Sequence, residues 1–441
     1  MPKVAETTIP ETVTPDFSEV FATPRVSKMA GGLIGSEILK IAADVRAMVA
    51  SGTAVCNLTV GDFNPHYFPI PELLKKGIEQ ALNVGETNYP PSDGMPDLRK
   101  KVKEFYEREL GLIYPIESIV ITGGARPAIY GTYRALVEPL DKVVYPVPSW
   151  NNNHYCHLTG AFGMPVICTA EDSFLPTRAK LEPEISGARL LALCSPLNPT
   201  GTAFTEEALE GICDLVLEEN ARRGPQGRQL FLMYDQVYWM LTFGATRHVN
   251  PVSIRPEMAK YTIFVDGISK AFAATGIRVG WAIAPPDIAN SMSNILGHVG
   301  AWAPRAEQVA TAHLLRDEES IGIYHTHMIS ELESRLDLLY DGLIGMRDSG
   351  HSVDAITPMG AIYLTANFGL IGKVTPDGKT LETNEDIRVY LLHAAALAIV
   401  PFQAFGYPDN TGWFRLSVGA VSVSEIHAML PRVKAAIERL S

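Results

Sequence analysis

Apolar residues recur at intervals of three and four along several segments of the chain, and this spacing predicts amphipathic helices. The first segment is 36–50, where the apolar residues share one face. The same pattern predicts helices over 71–82 and 95–110, each followed by a glycine that favours a helix end. Residues 1–25 show no apolar period and are rich in Pro, Thr and Glu, which indicates an N-terminal arm.

Short runs of β-branched and apolar residues begin at residue 118 and alternate with helical segments that start at Ala125 and Glu206. Each run has the length of one strand and ends in polar residues or a turn. Alternating strands and helices are typical of an α/β domain with a mainly parallel sheet, in which catalytic groups lie at the carboxyl ends of the strands. The predicted strands cover residues 118–122, 142–148, 165–170, 190–196, 229–235 and 261–267.

The pattern changes beyond Ala306, where one long helical stretch continues through Leu343. Strand-like and helical segments then follow each other at shorter intervals, and this mixture predicts a smaller α+β domain. The segments are a strand over 361–368, a helix near 384–396, a strand over 413–418 and a last helix from Ser424.

Composition limits the class of protein. The chain has 441 residues, of which 46% are hydrophobic and 20% charged, as in a soluble globular enzyme of two domains. The formal net charge of −12 disfavours nucleic acid and anionic lipid as partners. The N-terminus lacks the basic end and apolar core of a secretory signal, and the longest apolar run, 391–400, is about half the length of a spanning helix. We therefore expect a cytoplasmic protein that does not enter a membrane.

Five cysteines are present, and no two of them form a C-x-x-C pair. An odd number without such spacing predicts reduced, mostly buried thiols rather than a disulfide framework or a zinc site, so no bound metal is expected.

The segment VDGISKAFAATGIRVGW brings Lys270 to the end of a predicted strand and Arg278 eight residues later. A lysine beyond a buried strand loses hydration, which lowers its pKa and frees the amine to form a Schiff base. An arginine just downstream can hold a phosphate through two hydrogen bonds. A surface lysine is the ordinary alternative for an isolated Ser-Lys pair.

Polar residues follow two other predicted strands. Asn198 lies in CSPLNPTG, where it could bond a phenolic oxygen or a carboxylate, or simply form a turn with Pro199. Asp235 ends the strand of QLFLMYDQVYWML, and Tyr238 follows three residues later. An ionised Asp can keep a heteroaromatic nitrogen protonated, although a helix cap is the alternative.

The segment IVITGGARPAIYGTYRAL combines a strand, a glycine turn and a helix, a layout whose free backbone N–H groups bind phosphate. The triphosphate and dinucleotide fingerprints are missing, so a single phosphate monoester fits better. Trp150, in PVPSWNNNHY, could stack on a flat cofactor ring or be a core residue. Arg415 lies among apolar neighbours in GWFRLSVG and needs a partner such as a substrate carboxylate.

Taken in order, these segments resemble the class I/II aminotransferases, which are pyridoxal-phosphate (PLP) enzymes of fold type I. The likeness runs from about Val26 to the end of the chain. It rests on the Gly61-Asp62 turn, the tract TNYPPSDGMPDLR, the TGGA turn, the PSW segment, the NPTG loop, the D-x-x-Y strand end, the spacing from Ser269-Lys270 to Arg278, and the late Arg415.

The resemblance implies an α/β fold with a large PLP-binding domain, built on a mainly parallel seven-stranded sheet flanked by helices, and a smaller α+β domain. We expect the arm over 1–25, the small domain over 26–64 and 316–441, and the large domain over 65–315. The family also implies a homodimer with shared active sites, in which Tyr89 reaches the phosphate of the neighbouring subunit.

The resemblance implies a role for each motif residue. Lys270 would form the Schiff base with PLP and shuttle the proton, Asp235 would pair with the pyridine nitrogen, and Tyr238 and Asn198 would bond the phenolic oxygen. The substrate carboxylate would bind Arg415, the Gly61 backbone and Asn198. The remaining cofactor contacts would come from Gly124, Ala125, Ser269 and Arg278 at the phosphate and from Trp150 at the ring face.

Two positions depart from the family pattern. Gly267 stands where the family often has a Ser or Thr that bonds the phosphate, and Arg126 stands where a Gln is usual. Arg126 either restores the lost phosphate contact with its charge or faces solvent. The residue for a distal substrate group is not identified, with His66 and His298 as candidates on segments expected to line the pocket.

The predicted reaction is transfer of an amino group from an aspartate-type or aromatic-type amino acid to a 2-oxo acid such as 2-oxoglutarate. Aromatic residues at Tyr67, Trp239 and Trp302 would tolerate an aromatic substrate. A PLP-dependent β-lyase acting on cysteine conjugates could use the same scaffold. A PLP-binding sensor in a transcription regulator is disfavoured because no helix-turn-helix pattern is present, and a dehydrogenase because the dinucleotide loop is missing.

Overall fold

The computed structural model describes residues 14–17, 25–33 and 37–441. The chain divides into two compact units, residues 1–34 and 35–441. In the first unit, helix α1 spans Lys28–Gly31, and Ser27 caps its start by accepting a hydrogen bond from the Ala30 N–H at 3.1 Å. Most of the predicted arm, residues 1–13 and 18–24, lies outside the described residues, so the arm stays a prediction.

The helices of the second unit begin and end close to where the apolar spacing predicts them. The capping box at Ser422 and the left-handed Gly111 after α4 are local signals that fix two of these ends. In chain order the helices are α2 Glu37–Ala50, α3 Glu72–Asn83, α4 Pro96–Leu110, α5 Ala125–Leu136, α6 Asn152–Thr159, α7 Arg178–Ile185, α8 Glu206–Arg223, α9 Pro251–Ile254, α10 Ile268–Ala271, α11 Pro286–Val299, α12 Arg305–Arg316, α13 Glu318–Asp348, α14 Asn384–Ala395 and α15 Val423–Glu438.

The long helical stretch predicted beyond Ala306 is in fact two helices. Asp317 interrupts it, and its side chain caps α13 by accepting a hydrogen bond from the Ser320 N–H at 2.9 Å. The second helix then continues to Asp348, past the predicted end at Leu343. Apolar spacing alone did not reveal the break, because both helices keep the same period on either side of one capping residue.

Thirteen strands form three sheets among the described residues. The largest sheet has seven strands in the order β2-β8-β7-β6-β5-β3-β4, and only β8 runs antiparallel to its neighbours. This confirms the predicted mainly parallel seven-stranded sheet. The strands are β1 Cys56–Asn57, β2 Ile119–Thr122, β3 Lys142–Val147, β4 Phe162–Ile167, β5 Ala188–Cys194, β6 Phe231–Asp235, β7 Thr262–Gly267, β8 Gly280–Ile283, β9 Val353–Ala355, β10 Tyr363–Phe368, β11 Leu397–Ala398, β12 Val400–Pro401 and β13 Trp413–Ser417.

Alternate residues of the central strands enter two different cores. On β7, Phe264 belongs to the larger apolar cluster and Val265 to the cluster on the opposite face, and Ile121 and Val120 of β2 divide in the same way. Such two-sided burial is expected of strands covered by helices on both faces. The sheet is therefore a rigid support for residues at its carboxyl edge.

The two smaller sheets combine distant parts of the sequence. Strands β12, β13, β10 and β9 form an antiparallel sheet, and β1 pairs with β11 in parallel, which brings Cys56 beside Leu397. Because residues 35–441 form one compact unit, the predicted boundary between a small and a large domain stays a prediction.

Two further sequence expectations concern cysteines and membranes. The five cysteines are free, four of them are buried and Cys194 is partly exposed. Within the described ranges, no helix is long and apolar enough to cross a membrane, and no group of three or more His, Cys, Asp and Glu side chains is arranged to hold a metal ion.

Candidate active site

A cavity of about 630 Å³ lies at the carboxyl edge of the seven-stranded sheet, where the last residues of β5 and β6 line it. The cavity brings together residues from distant parts of the sequence, and among the predicted ones Gly61 and Arg415 are the farthest apart. The predicted site residues on its wall are Gly61, Ala125, Arg126, Trp150, Asn198, Asp235, Tyr238, Ser269, Lys270, Arg278 and Arg415.

Lys270 extends into the cavity from α10, the single helical turn that directly follows β7. Its Nζ donates a hydrogen bond to the Gly61 carbonyl oxygen at 2.6 Å. Burial lowers the pKa of Lys270 to about 8; the Asp62 carboxylate opposes this shift and the Arg415 guanidinium adds to it. The amine is therefore available in its neutral, nucleophilic form close to neutral pH.

Asp235 ends β6 and lines the cavity. Burial raises its pKa to about 6, and the Val237 N–H, which donates to Oδ1 at 3.2 Å, partly offsets this shift. Above that pH the carboxylate is ionised and can hold a protonated ring nitrogen. Tyr238, one turn further on, has its hydroxyl 2.7 Å from the Tyr363 hydroxyl.

The first turn of α5 forms an anion site together with Arg278. Arg278 donates to the Gly123 carbonyl oxygen at 2.9 Å and to the Thr275 carbonyl oxygen at 2.6 Å. Gly124, just before the helix, has a φ of +92°, and a Cβ there would lie 2.1 Å from Arg278 Nη2. Only glycine allows the guanidinium to approach the helix N-terminus so closely, next to its unpaired N–H groups.

Gly267 and Gly280 bring β7 and β8 together behind this anion site. A Cβ on Gly267 would lie 2.7 Å from the Gly280 Cα, and a Cβ on Gly280 would lie 2.6 Å from the Gly124 carbonyl carbon. The three glycines are thus packed backbone to backbone. A Ser or Thr at position 267, as in the family pattern, does not fit this arrangement.

Arg126 lines the cavity and is also exposed. Its surroundings therefore agree in part with each of the two interpretations of the sequence, a phosphate contact and a side chain that faces solvent. Its guanidinium carbon lies 5.4 Å from the centre of the Trp150 ring. Neither Arg126 nor Arg278 forms a salt bridge with a described carboxylate, and the only carboxylate among the described residues that influences the pKa of Arg278 is Asp62, which raises it against the effect of burial. Two guanidiniums that form no salt bridge with a described carboxylate, beside a helix N-terminus, fit a phosphate group.

Arg415 on β13 is only 1% exposed. It donates to Asn198 Oδ1 at 3.1 Å and to the Thr59 carbonyl oxygen at 2.7 Å, and its guanidinium lies between the rings of Tyr363 and Phe405. Its Nε has no hydrogen-bond partner in the described part of the chain, and no described carboxylate pairs with it. A buried cation without an anion, on the wall of a cavity, fits a ligand carboxylate.

These features fit PLP. The cavity provides an anion site for its phosphate, an acid for its ring nitrogen, a lysine of lowered pKa for its aldehyde and an aromatic ring, Trp150, for its face. Four cationic groups and two acidic groups line the cavity in a chain whose net charge is −12. The cationic excess suits a cofactor and substrates that are anionic.

Some predicted residues lie elsewhere. Tyr89 is 81% exposed and contacts Trp302 edge to face at 5.5 Å, outside the cavity. His66 and His298 are exposed and do not line the cavity, and neither do the three aromatic residues proposed to favour an aromatic substrate. Gly124 contacts Arg278 from behind the cavity wall.

Sequence reasoning missed Tyr363 and Thr275. Tyr363 bonds Tyr238 and covers Arg415, and Thr275 donates to Asp62 Oδ1 at 2.7 Å. The sequence held only weak signals for these two site residues. Tyr363 is the only polar aromatic residue within AIYLTANF, and Thr275 lies between Lys270 and Arg278.

Comparison with known proteins identifies similar chains over almost the whole length. A profile of the family described as "Aminotransferase class I and II" matches residues 53–433. An aspartate aminotransferase of Rhizobium meliloti (strain 1021) is 32% identical over 414 residues, which cover 92% of this chain and 94% of that protein. A probable aspartate/prephenate aminotransferase of Rhizobium leguminosarum bv. phaseoli is 31% identical over 402 residues, with coverage of 90% and 95%.

Solved structures show the same likeness. The aspartate aminotransferase from Rhizobium meliloti superposes with a TM-score of 0.86 at 30% identity and covers 95% of this chain and 100% of that one. An aromatic aminotransferase from Pyrococcus horikoshii OT3 gives a TM-score of 0.78 at 26% identity, with coverage of 89% and 98%.

Proposed function

We propose that this chain, which belongs to the class I and II aminotransferase family and is a PLP-dependent aminotransferase, uses aspartate as amino donor and 2-oxoglutarate as acceptor. Family membership confirms the predicted enzyme class, cofactor and fold type. The β-lyase and sensor alternatives are not favoured, because the similar proteins named above are aminotransferases. The residue roles below remain proposals.

The observation that carries the proposal is the excess of unpaired cations in the cavity. Arg415 is buried without an anion, which suits the α-carboxylate carried by all the proposed substrates. Arg126 is accessible on the same cavity and has no described salt bridge, and its guanidinium has five N–H donors, so it can bind a second carboxylate as well as the phosphate. Aspartate and 2-oxoglutarate both carry that second carboxylate.

The chain's own residues would prepare and move the proton. Bound PLP supplies an electron sink for the negative charge left at the substrate Cα when that carbon loses its proton. Lys270 Nζ, with its lowered pKa, would take the proton from the Cα of the donor and pass it to the cofactor side of the C–N bond, and in the second half of the transfer it would move a proton the opposite way, to the Cα of the amino acid that forms. Arg415 and Asn198 fix the carboxylate of the substrate, and thus the direction of its Cα–H bond.

Other residues would hold the cofactor. Asp235 keeps the ring nitrogen protonated, and Tyr238 and Asn198 bond the phenolic oxygen. Trp150 covers the ring face. The phosphate binds the first-turn amides of α5, Ser269, Arg278 and Arg126.

The test is a set of half-reactions in which purified holoenzyme is mixed with one amino acid and no acceptor. We expect aspartate to yield one equivalent of its 2-oxo acid per active site, and 2-oxoglutarate then to regenerate the enzyme with one equivalent of glutamate. No oxo acid from aspartate would contradict the proposed donor. Continuous release of ammonia and pyruvate from a cysteine conjugate without acceptor would instead indicate a lyase.

An aromatic donor is the second candidate. The similarity to the Pyrococcus horikoshii aromatic aminotransferase and the aromatic rings of Trp150, Tyr238 and Tyr363 on the cavity wall favour it. The ratio of kcat/KM for aspartate and for phenylalanine, measured with the same acceptor, decides between the two donors.

We also propose a homodimer in the cytoplasm. Tyr89 is strongly exposed and lines a second groove with Trp302 and Arg305, where it is accessible to a partner subunit. Light scattering after size exclusion should give twice the mass of one chain, and Tyr89→Phe should weaken cofactor binding without changing that mass. Fractionation of cells should recover the protein with cytoplasmic markers.

A further inference from the structure

A third acidic residue, Asp266, lies beside the active site but does not line the cavity. Asp266 precedes the last residue of β7, next to the strand that ends in Asp235, and is only 1% exposed. No described cation pairs with it. A buried carboxylate without a cation needs several hydrogen-bond donors.

Asp266 has three donors. The Tyr106 hydroxyl and the Trp239 Nε1–H both donate to Oδ2, each at 2.9 Å, and the Gly267 N–H donates to Oδ1 at 2.7 Å. Tyr106, in turn, accepts from Gln236 Nε2 at 3.1 Å and from Trp281 Nε1 at 3.3 Å.

The direction of these bonds follows from the chemistry of the partners. Tryptophan and backbone N–H groups only donate. The Tyr106 oxygen already accepts two hydrogen bonds, so its one proton is directed at Asp266. Every partner of Asp266 is therefore a donor, and the arrangement is complete only for the ionised carboxylate.

The hydrogen bond from Trp239 to Asp266 joins the two segments that carry the catalytic residues. Trp239 follows Tyr238 directly in the chain, and Gly267 is three residues before Lys270. Tyr106 attaches both segments to α4. One carboxylate thus links the segment of Tyr238 to the segment of Lys270.

We propose that Asp266 is a positioning residue, whose ionised carboxylate sets the distance between the segment of Asp235 and Tyr238 and the segment of Lys270. This proposal deepens the aminotransferase function proposed above and rests on it. It does not depend on which amino acid is the donor. Asp266 itself touches no substrate.

Titration of this carboxylate should be visible in activity. Burial raises the pKa of Asp266 to about 7, the hydrogen bonds from Gly267, Tyr106 and Trp239 lower it, and the Asp235 carboxylate raises it. Other titratable groups near it are Tyr106, whose pKa burial raises further, and His248, which bonds Gln236 and whose pKa burial lowers to about 3. Neither changes charge near neutral pH, so Asp266 and Asp235 are the acids that can.

The experiment compares holoenzyme variants in the half-reaction of whichever amino acid reacts fastest, between pH 5.5 and 9. For Asp266→Asn at pH 8 we expect kcat to fall by about ten- to a hundredfold, the range for a displaced catalytic group, with KM changed less than about threefold. The part of the wild-type loss of activity that is centred near pH 7 should be absent in this variant, whereas the loss due to Asp235, whose pKa is about 6, should remain. Glu219→Gln is the matched control, since it neutralises a buried carboxylate on α8 that pairs with Arg222 and Arg223 and does not line the cavity.

Trp239→Phe provides a test that does not require Asp266→Asn to fold. It removes the Nε1–H donor to Asp266 and keeps an aromatic ring, so the pKa of Asp266 should increase. The fall in activity on the acid side of the pH profile should then occur at higher pH. Cofactor affinity and melting temperature are measured in the same variant. If Trp239 were purely structural, its substitution would lower both quantities without changing the pH at which activity is lost on the acid side. A wild-type pH profile in both variants overturns the proposal, as does an Asp266→Asn variant that matches Glu219→Gln. Wild-type inactivity with every amino acid would contradict the proposed function instead.

Discussion

The lowered pKa of Lys270 predicts the reactivity of its amine in the cofactor-free protein. With a pKa of about 8, about one quarter of the amine is unprotonated at pH 7.5, whereas an ordinary lysine is unprotonated at about one part in a thousand. Lys270 should therefore react with a small aldehyde about two hundred times faster than a lysine of ordinary pKa and equal access. Asp62 raises this pKa. Asp62→Asn should consequently lower it, and each unit is equivalent to about 1.4 kcal/mol.

The assay is reductive methylation with formaldehyde and cyanoborohydride at limiting dose, between pH 6 and 10, with the modified fraction of each lysine measured by mass spectrometry. Lys76, whose side chain is 70% exposed, is the internal reference. Thr275→Val is the matched control, because it removes the hydroxyl that donates to Asp62 Oδ1 and leaves the carboxylate charge in place.

The wild-type rate for Lys270 should rise to a plateau with its midpoint near pH 8, and Asp62→Asn should move that midpoint to lower pH. Thr275→Val should move it less. An inflection near pH 10 in the wild type would refute the claim that burial dominates the pKa of this lysine. A shift to higher pH in Asp62→Asn would refute the assigned sign of the Asp62 contribution.

Three substitutions test the remaining parts of the site. Arg415→Met should lower kcat/KM for every amino acid by about a hundredfold or more, since it removes a charged bidentate partner of the substrate carboxylate. Cofactor affinity should stay within a few-fold of the wild-type value. Equal losses in kcat/KM and in cofactor affinity would place Arg415 at the cofactor instead. Arg126→Gln should raise KM for aspartate by about tenfold more than KM for phenylalanine if its charge binds a second carboxylate, and a common increase would assign it to the phosphate alone. Gly267→Ser should lower the free energy of unfolding by about 1–3 kcal/mol in denaturant titration, because its Cβ meets the Gly280 backbone, and an unchanged midpoint would show that β8 can move aside.

Most elements of the sheet were predictable because their signals are local. The predicted strand over 229–235 and the observed β6, Phe231–Asp235, end at the same residue, since a continuous apolar run stops there at an acid. Two strands of this sheet differ from the prediction: β4 begins three residues before the predicted run of 165–170, and β8 was not predicted. The four residues of β8, Gly280–Ile283, directly follow the turn of Arg278 and run antiparallel to their neighbours. The run is short and no long helix separates it from β7, so the sequence pattern did not indicate a strand.

The site was predictable only where a motif linked residue type to position. Asp235 ends a strand and Lys270 and Asn198 each follow one, and the parallel topology alone brings such residues to one edge. Tyr363 comes from an antiparallel strand of another sheet, and Asp266 faces away from the cavity toward Tyr106. Their contacts depend on the packing of helices and sheets that are distant in sequence, which apolar spacing does not encode.

Gly267 accounts for the departure of this chain from its family's phosphate contacts. A serine hydroxyl at this position would require a Cβ 2.7 Å from the Gly280 Cα and 2.8 Å from the Val279 carbonyl oxygen, both of them backbone atoms that cannot rotate away. The close strand approach therefore excludes the hydroxyl. Arg126, on the first turn of α5, has no described salt bridge and lies on the same cavity as Arg278. We infer that a second guanidinium replaces the missing hydrogen bond, so the loss of a neutral contact is offset by charge. Phosphate affinity should consequently depend more steeply on salt in this protein than in a relative with serine at the equivalent position.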